Sequence, residues 1–155
     1  MESVAEISDY ELERGKPMPS KNHGKLQFRI AKAISDNTGE RFDILTEVSL
    51  ELSRPVTPDI ALFPAEPSDW LEDEIKVKKP PLSVVEILSP TQGNQELIDK
   101  LDIYFAAGVQ SCWIVIPTFR LINVFTAKHD YKTFLTGELF DEKLDIRVNL
   151  DLIFR

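Results

Sequence analysis

The chain has 155 residues, a length that suits one domain with its own core, so we expect a single domain over residues 1–155. Hydrophobic residues make up 43% of the chain and charged residues 28%, a balance that argues against disorder. No apolar run approaches the roughly 20 residues of a membrane helix, and the first residues lack the basic and apolar segments of a signal peptide. The net charge of −8 disfavours tight binding to nucleic acid, because phosphate contacts require lysine and arginine.

The single cysteine, Cys112, lies inside an apolar run and excludes an internal disulfide. We therefore expect a reducing, cytoplasmic setting for a soluble protein. A small buried core residue is the favoured interpretation of Cys112, and a catalytic thiol is the weaker alternative.

The first half of the chain predicts a helix followed by two strands. Residues 1–19 are interpreted as a lead-in with a turn at residues 10–15. An apolar residue at every fourth position predicts an amphipathic helix that begins after Ser20 and ends near Ser35, with a face of Leu26, Ile30 and Ile34. Strict alternation over residues 42–52 predicts one strand with one buried face, and residues 60–63 form a short strand after Pro58.

The second half predicts a buried strand, a helix and two further strands. Residues 64–81 are rich in proline and charge and are expected to form an exposed loop with one helical turn near Trp70. Residues 82–88 are almost continuously apolar, which predicts a central strand buried on both faces. Strands at residues 111–116 and 121–125 follow, then a turn at 128–130 and a final apolar run. Between residues 88 and 111, a helix ending at Gly108 presents an apolar stripe formed by Leu97, Ile98, Leu101, Tyr104 and Phe105.

Glu86 is the most informative residue, because it places a carboxylate inside an apolar strand. A buried charge is costly unless it is paired or binds a metal. Asp59 stands at the start of the preceding strand, and two adjacent strands can bring the two carboxylates together. Two carboxylates, the backbone carbonyl of Ile87, waters and a phosphate oxygen would suit Mg²⁺, which prefers oxygen ligands. A simple turn residue after Pro58 is an even alternative for Asp59.

Lys100 is the third candidate, because its position beside the apolar stripe allows its ammonium group to reach the carboxylates. There it would stabilise charge on a transferring phosphoryl group or orient the attacking water. Glu96 lies four residues earlier on the same helical face. An ordinary surface ion pair between Glu96 and Lys100, contributing roughly 0.2–0.5 kcal/mol, is the favoured alternative when this pair is considered alone.

With these elements in order, the chain resembles the PD-(D/E)xK superfamily, whose core is a helix, three antiparallel strands, a helix and a strand. More closely, it resembles the Uma-two-type endonuclease family over about residues 10–125. The matching stretches are Tyr10-Glu-Leu with Gly15, Pro19-Ser20 with His23, Pro58-Asp59-Ile60, Val85-Glu-Ile-Leu-Ser-Pro90, Lys100-Leu with Tyr104 and Gly108-Val109, and Trp113-Ile-Val.

The resemblance implies an α/β (α+β) fold with a restriction-endonuclease-like core, in which helices flank a mixed central sheet. It implies that Asp59 and Glu86 bind Mg²⁺ or Mn²⁺ and that Lys100 is the catalytic lysine, since position 88 is leucine where the superfamily has lysine. Glu47 and His23 are candidate accessory residues by the same resemblance. A helix-start histidine that only hydrogen-bonds locally is an equal alternative for His23.

Three functions compete at this point. The first is a Mg²⁺-dependent endonuclease that hydrolyses DNA with low affinity, with a homodimer as a plausible form. The second is a catalytically silent binding or assembly module, which the net charge favours, as does Ile116, where the family has aspartate. The third is a general acid/base hydrolase using Glu86 and His23, and it lacks any supporting serine or cysteine signature. Zinc is disfavoured because one cysteine and two distant histidines form no ligand cluster.

Overall fold

A computed structural model describes residues 18–155 of the chain. The expected lead-in turn at residues 10–15 lies outside the described residues. Helix α1 spans Lys21–Thr38, and its N-cap is Ser20, whose side chain accepts a hydrogen bond from the backbone N–H of His23 at 3.2 Å. The helix runs three residues past its predicted end at Ser35 and stops at Gly39, whose φ of 59° suits glycine.

The central sheet has six strands, which are β1 Phe42–Thr46, β4 Ile60–Pro64, β6 Ser83–Ile87, β7 Ser111–Ile116, β8 Leu121–Ala127 and β9 Asp130–Phe134. Their order across the sheet is β1–β4–β6–β7–β8–β9. Strands β6 and β7 are parallel and every other neighbouring pair is antiparallel, so the sheet is mixed as expected. Helix α2, Asn94–Ala106, makes the crossover between the two parallel strands.

Strand β6 lies in the interior of the sheet and all five of its residues are buried. Its neighbours on the two sides are β4, where Ile60 pairs with Val85, and β7, where Ile114 pairs with Glu86. This arrangement confirms the prediction that an apolar run with one acid forms a central strand covered on both faces.

The prediction of one continuous strand over residues 42–52 was wrong. The strand breaks at Glu47, which has a left-handed φ of 56°, and the chain leaves the central sheet there. After the break, β2 (Ser49–Glu51) belongs to a small sheet with β3 (Pro55–Val56) and β5 (Lys76–Val77). Alternation continues through the break, so the pattern alone does not reveal that the two halves pair with different partners.

Two apolar clusters cover the two faces of the central sheet. Helix α1 packs on one face with the hairpin of β10 and β11 (Glu138–Asp141 and Ile146–Asn149) and the short helix α3 (Leu150–Ile153). Helix α2 and the small sheet cover the other face, where Cys112 is fully buried, in agreement with its interpretation as a core residue.

Two further expectations need correction or qualification. Ile98 was expected on the buried stripe of α2 but is 38% exposed, because the stripe is narrower than its sequence pattern. The segment at residues 64–81 is mostly exposed, with Trp70 at 92%, but Pro81 is buried and the segment contains β5 and a turn instead of a helical turn. Within residues 18–155, none of the helices combines the length and the apolarity that spanning a bilayer requires.

Candidate active site

Asp59 lies immediately before β4 and is fully buried. Its Oδ1 is 3.0 Å from Nε2 of His23, and its Oδ2 accepts a hydrogen bond of 2.6 Å from the backbone N–H of Ile87. The Asp59 carboxylate therefore lies against the peptide group that joins Glu86 to Ile87, at the end of two neighbouring strands. This long-range contact argues against the alternative of a simple turn residue.

Glu86 is 1% exposed, in the middle of the sheet. Its Oε1 accepts a hydrogen bond of 2.6 Å from the hydroxyl of Tyr104, and its Oε2 lies 3.5 Å from Nζ of Lys100. Lys100 and Tyr104 are four residues apart on α2, so one face of that helix supplies both groups. The buried acid thus has a cation and a hydroxyl donor as neighbours, the pairing that burial of a charge requires.

Lys100 reaches two carboxylates at once. Besides Oε2 of Glu86, its Nζ lies 3.8 Å from Oε1 of Glu96, whose side chain is 42% exposed. The Lys100 side chain is only 11% exposed. The structure therefore places Lys100 between the buried site and a partly exposed acid, and the simple surface pair of Glu96 and Lys100 describes only half of its environment.

His23 joins the first turn of α1 to the site. Its ring is 4% exposed, and the contact with Asp59 spans 36 positions, so its role is not merely local. Its Nδ1 is buried and has no hydrogen-bond partner among the described residues. The ring also lines a groove of about 290 Å³ together with Ser89, Gln92 and Phe119, which we call the histidine groove.

Glu47 and Ile87 contribute backbone groups near the two carboxylates. The N–H of Glu47 donates to the backbone carbonyl of Asp59 at 3.2 Å, so the break after β1 is fixed next to the site. The backbone N–H of Leu88 donates to Val115 of β7, whereas the N–H of Ile87 points to Asp59. In a β-strand the N–H and C=O groups of one residue point to the same side of the strand. Since the N–H of Ile87 points to Asp59, the carbonyl of Ile87 points to the same side.

Sequence reasoning missed the polar roles of Tyr104 and Gln27. Tyr104 was assigned only to the apolar stripe, although a tyrosine buried at that position requires a partner for its hydroxyl. Burial raises the pKa of Tyr104 well above its usual 10.0, and the nearby Glu86 raises it further, so the phenol stays a hydrogen-bond donor. Gln27, one turn after His23 on α1, donates to the backbone carbonyl of Asp59 at 3.0 Å.

A third buried carboxylate, Asp141 on β10, was also not anticipated. It accepts hydrogen bonds from Nε1 of Trp113 at 2.8 Å and from the hydroxyl of Ser111 at 2.5 Å. Its other oxygen accepts from the backbone N–H groups of Lys143 and Leu144. Asp141 therefore ties the C-terminal hairpin to β7 and belongs to the structural core.

The donor set at Asp59 and Glu86 is compatible with a hard divalent cation. Among residues 18–155, no three side chains of the His, Cys, Asp and Glu types converge closely enough to form a complete protein cage for a metal. Mg²⁺ does not require one, because it is commonly held by one or two carboxylates together with water and substrate phosphate. Two carboxylates and a main-chain carbonyl fit that pattern and do not fit the cysteine and histidine sets of structural zinc.

Comparison with known proteins agrees with this architecture. The model of the Uma2 family, described as "Putative restriction endonuclease", matches residues 2–151. Among curated proteins, none matches the chain significantly.

Among solved structures, five chains match. One of them is described as "a putative nuclease belonging to DUF820" from Anabaena variabilis ATCC 29413. It is 18% identical in sequence, with a TM-score of 0.75 over 89% of this chain and 83% of that chain. At that identity the likeness shows the fold alone, and it confirms the expected restriction-endonuclease-like α+β core. Since the family model covers nearly the whole chain, the chain belongs to the Uma2 family.

Proposed function

We propose that this protein is a divalent-metal-dependent endonuclease that hydrolyses phosphodiester bonds in DNA. The observation that carries the proposal is a pair of buried carboxylates at neighbouring strands, with an ammonium group beside one of them. Oδ2 of Asp59 accepts from the N–H of Ile87, the residue after Glu86, and Nζ of Lys100 lies 3.5 Å from Oε2 of Glu86. Burying these charged groups costs desolvation free energy, and apolar side chains of similar size would stabilise a core at least as well. Such departures from the local pattern are typical of functional sites. Family membership and fold support the same class of activity.

In this proposal Asp59, Glu86 and the carbonyl of Ile87 would hold Mg²⁺ or Mn²⁺. The metal would act as a Lewis acid toward the phosphoryl oxygen and favour ionisation of the attacking water. The chain's own groups do the rest: Lys100 stabilises the negative charge that develops on the phosphoryl oxygens, and Tyr104 holds Glu86 in place through its hydroxyl. The oxygen of water bonds to phosphorus, the bond from phosphorus to one deoxyribose oxygen breaks, and a proton ends on that leaving oxygen.

His23 and Glu96 have supporting parts in the same proposal. His23 orients Asp59 through the 3.0 Å contact with Oδ1, since a ligating carboxylate is commonly held in place by a hydrogen-bonded neighbour. Glu96 keeps the ammonium group of Lys100 available when Glu86 turns toward a metal, since it lies 3.8 Å away on the solvent side. Glu47 fixes the backbone at Asp59 and would act through its N–H group.

The burial of the site favours a second candidate, a catalytically silent binding or assembly module. Asp59 is 0% and Glu86 1% exposed, and all four carboxylate oxygens face a donor within the protein. Such a network can stabilise a fold without a metal. A metal ion would reach these oxygens only if one of the donors moved away, and Lys100, whose side chain is 11% exposed, is less buried than Asp59 and Glu86.

Plasmid nicking with Mg²⁺ or Mn²⁺ tests the proposal. We expect nicking by the wild-type protein and its loss in Asp59→Asn, Glu86→Gln and Lys100→Met. Lys128→Met is a matched control, because Lys128 also pairs with a carboxylate, Asp102 at 2.9 Å, but on the exposed surface. Retained nicking in the three site variants would refute the assignment.

Thermal unfolding with added Mn²⁺ separates the two candidates when no nicking is seen. A metal present at 100 times its Kd should stabilise the native state by about 2.7 kcal/mol. A rise in Tm that disappears in Asp59→Asn supports a metal site, whereas an unchanged Tm supports the silent module. Each domain carries one candidate site, and one site cuts one DNA strand at a time. We therefore also propose that two copies of the protein act as a homodimer on duplex DNA, and sedimentation analysis would detect that dimer.

A further inference from the structure

The surface beside the histidine groove carries an unusual charge for so acidic a protein. A second groove of about 180 Å³ has nine lining residues, including Lys25, Arg29, Arg120 and Arg155. Among these described lining residues, no side chain is a carboxylate. We call it the basic groove. In a chain with 26 acidic and 18 basic residues, four basic side chains without an acid form a local reversal of the overall charge.

The basic groove adjoins the candidate active site. Asn22 and Pro117 line both the basic groove and the histidine groove, so the two are adjacent. His23, which contacts Asp59, precedes Lys25 by two residues on the same helix. The positive surface therefore begins on the same helix as His23, next to the groove that His23 lines.

Two of the basic side chains in the basic groove have no ion-pair partner among residues 18–155. Neither Lys25 nor Arg120 forms an ion pair with any residue from 18 to 155, and both are exposed. Arg29 donates to the backbone oxygens of Ile153 and Arg155, at 3.2 and 3.0 Å, which holds its side chain over the groove.

A larger groove of about 400 Å³ nearby makes a useful contrast. There Lys32 pairs with Asp36, and Arg147 pairs with Glu138 at 2.8 Å. Arg29 and Arg155 line both grooves, whereas Lys32 and Arg147, which line only the larger groove, are both paired and add no unpaired cation there.

We infer that the basic groove binds the phosphate backbone of the DNA strand that enters the candidate active site. This inference rests on the proposed function and names the surface that positions its substrate. Lys25 and Arg29 are four residues apart, about 6 Å along the helix axis. One strand carries a phosphate about every 3.4 Å of duplex axis, so two side chains at this spacing can contact separate phosphates. Such contacts fix the position of the duplex and read no sequence.

Binding of a short labelled DNA duplex, followed by fluorescence anisotropy in Ca²⁺, tests the inference without requiring cleavage. Affinity is measured from about 50 to about 200 mM salt for the wild type, Lys25→Gln, Arg120→Gln and the double variant. We expect the double variant to lower the slope of log affinity against log salt by about 2, since each lost phosphate contact removes about 0.9.

The control is Lys143→Gln. Lys143 is exposed and lies in the turn between β10 and β11. The same turn accepts hydrogen bonds from Arg41 through the carbonyls of Leu144 and Asp145, and Arg41 follows the C-terminal end of α1, away from Lys25. It should leave both affinity and slope unchanged. Circular dichroism of all variants checks that the fold is intact.

The outcomes separate this inference from the proposed function. Wild-type nicking with unchanged affinity and slope in the double variant overturns the basic groove and leaves the nuclease standing. Binding through the groove without nicking supports the groove and counts against the nuclease. Absence of DNA binding by the wild type overturns the inference. Vesicles of phosphatidylglycerol are a second anionic probe: if the double variant loses binding to these vesicles but still binds DNA, the inference is also overturned.

Discussion

Removal of the positive charge at Lys100 tests how much the ion pair between Lys100 and Glu86 contributes to the stability of the fold. In Lys100→Met, the Glu86 carboxylate keeps the Tyr104 hydroxyl as a donor but loses its cation. Breaking a buried ion pair from one side costs about 3–5 kcal/mol. The separation of 3.5 Å is long for an ion pair, and Lys100 retains 11% exposure, so we expect the lower part of that range, about 3 kcal/mol. For a domain of this size the Tm should fall by roughly 6–12 °C.

A double-mutant cycle with Glu86→Gln isolates the pair. When Glu86→Gln is already present, no carboxylate at position 86 remains to be stranded, so Lys100→Met should cost less than about 1 kcal/mol and the coupling should be about 2 kcal/mol. Urea unfolding in metal-free buffer measures all four proteins. Lys128→Met, at an exposed pair with Asp102, should change stability by less than about 1 kcal/mol. Equal costs of Lys100→Met with and without Glu86→Gln would refute the reasoning.

Three further predictions concern buried polar groups. Tyr104→Phe removes the 2.6 Å hydrogen bond to Glu86 and should cost about 1.5–3 kcal/mol in urea unfolding at neutral pH. Because the pKa of Tyr104 is raised in the folded protein, its protonated form contributes stability that is complete below about pH 10 and is lost as the pH rises further, so Tyr104→Phe should flatten the alkaline decline. Burial, with smaller contributions from Glu86 and Asp141, raises the pKa of the Cys112 thiol, so the thiol is unreactive in the folded protein. An aromatic disulfide reagent that releases a coloured thiolate should therefore label Cys112 only as fast as the protein unfolds. Rapid labelling of the native protein would contradict that expectation. Asp141→Ala strands the indole N–H of Trp113 and should destabilise the fold by about 3 kcal/mol, visible as an earlier thermal transition in near-ultraviolet circular dichroism, and a change below about 1 kcal/mol would argue against a structural role.

Much of the secondary structure follows from local pattern. Ser20 as a helix cap, the apolar face of α1 and the buried strand β6 depend on residues within a turn or a strand of each other, and these predictions are confirmed. The break at Glu47 does not follow, because the apolar alternation continues across a residue whose left-handed backbone redirects the chain. Only the choice of pairing partner, β4 before the break and β3 and β5 after it, distinguishes the two strands.

The sequence by itself determined that the carboxylate at position 86 lies in a buried strand, because the residues around it are almost continuously apolar. A carboxylate buried there must be paired or bind a metal. The sequence also placed Lys100 on the following helix, as one member of a helical face. Tertiary structure alone decided which groups meet: His23 with Asp59 across 36 positions, and Tyr104 with Glu86 across 18. It also assembled the basic groove, whose basic side chains come from the first helix, from Arg120 and from Arg155. Helical and strand periodicities extend over a few residues, whereas hydrogen bonds and charge clusters depend on how whole elements pack, and no local pattern encodes that packing.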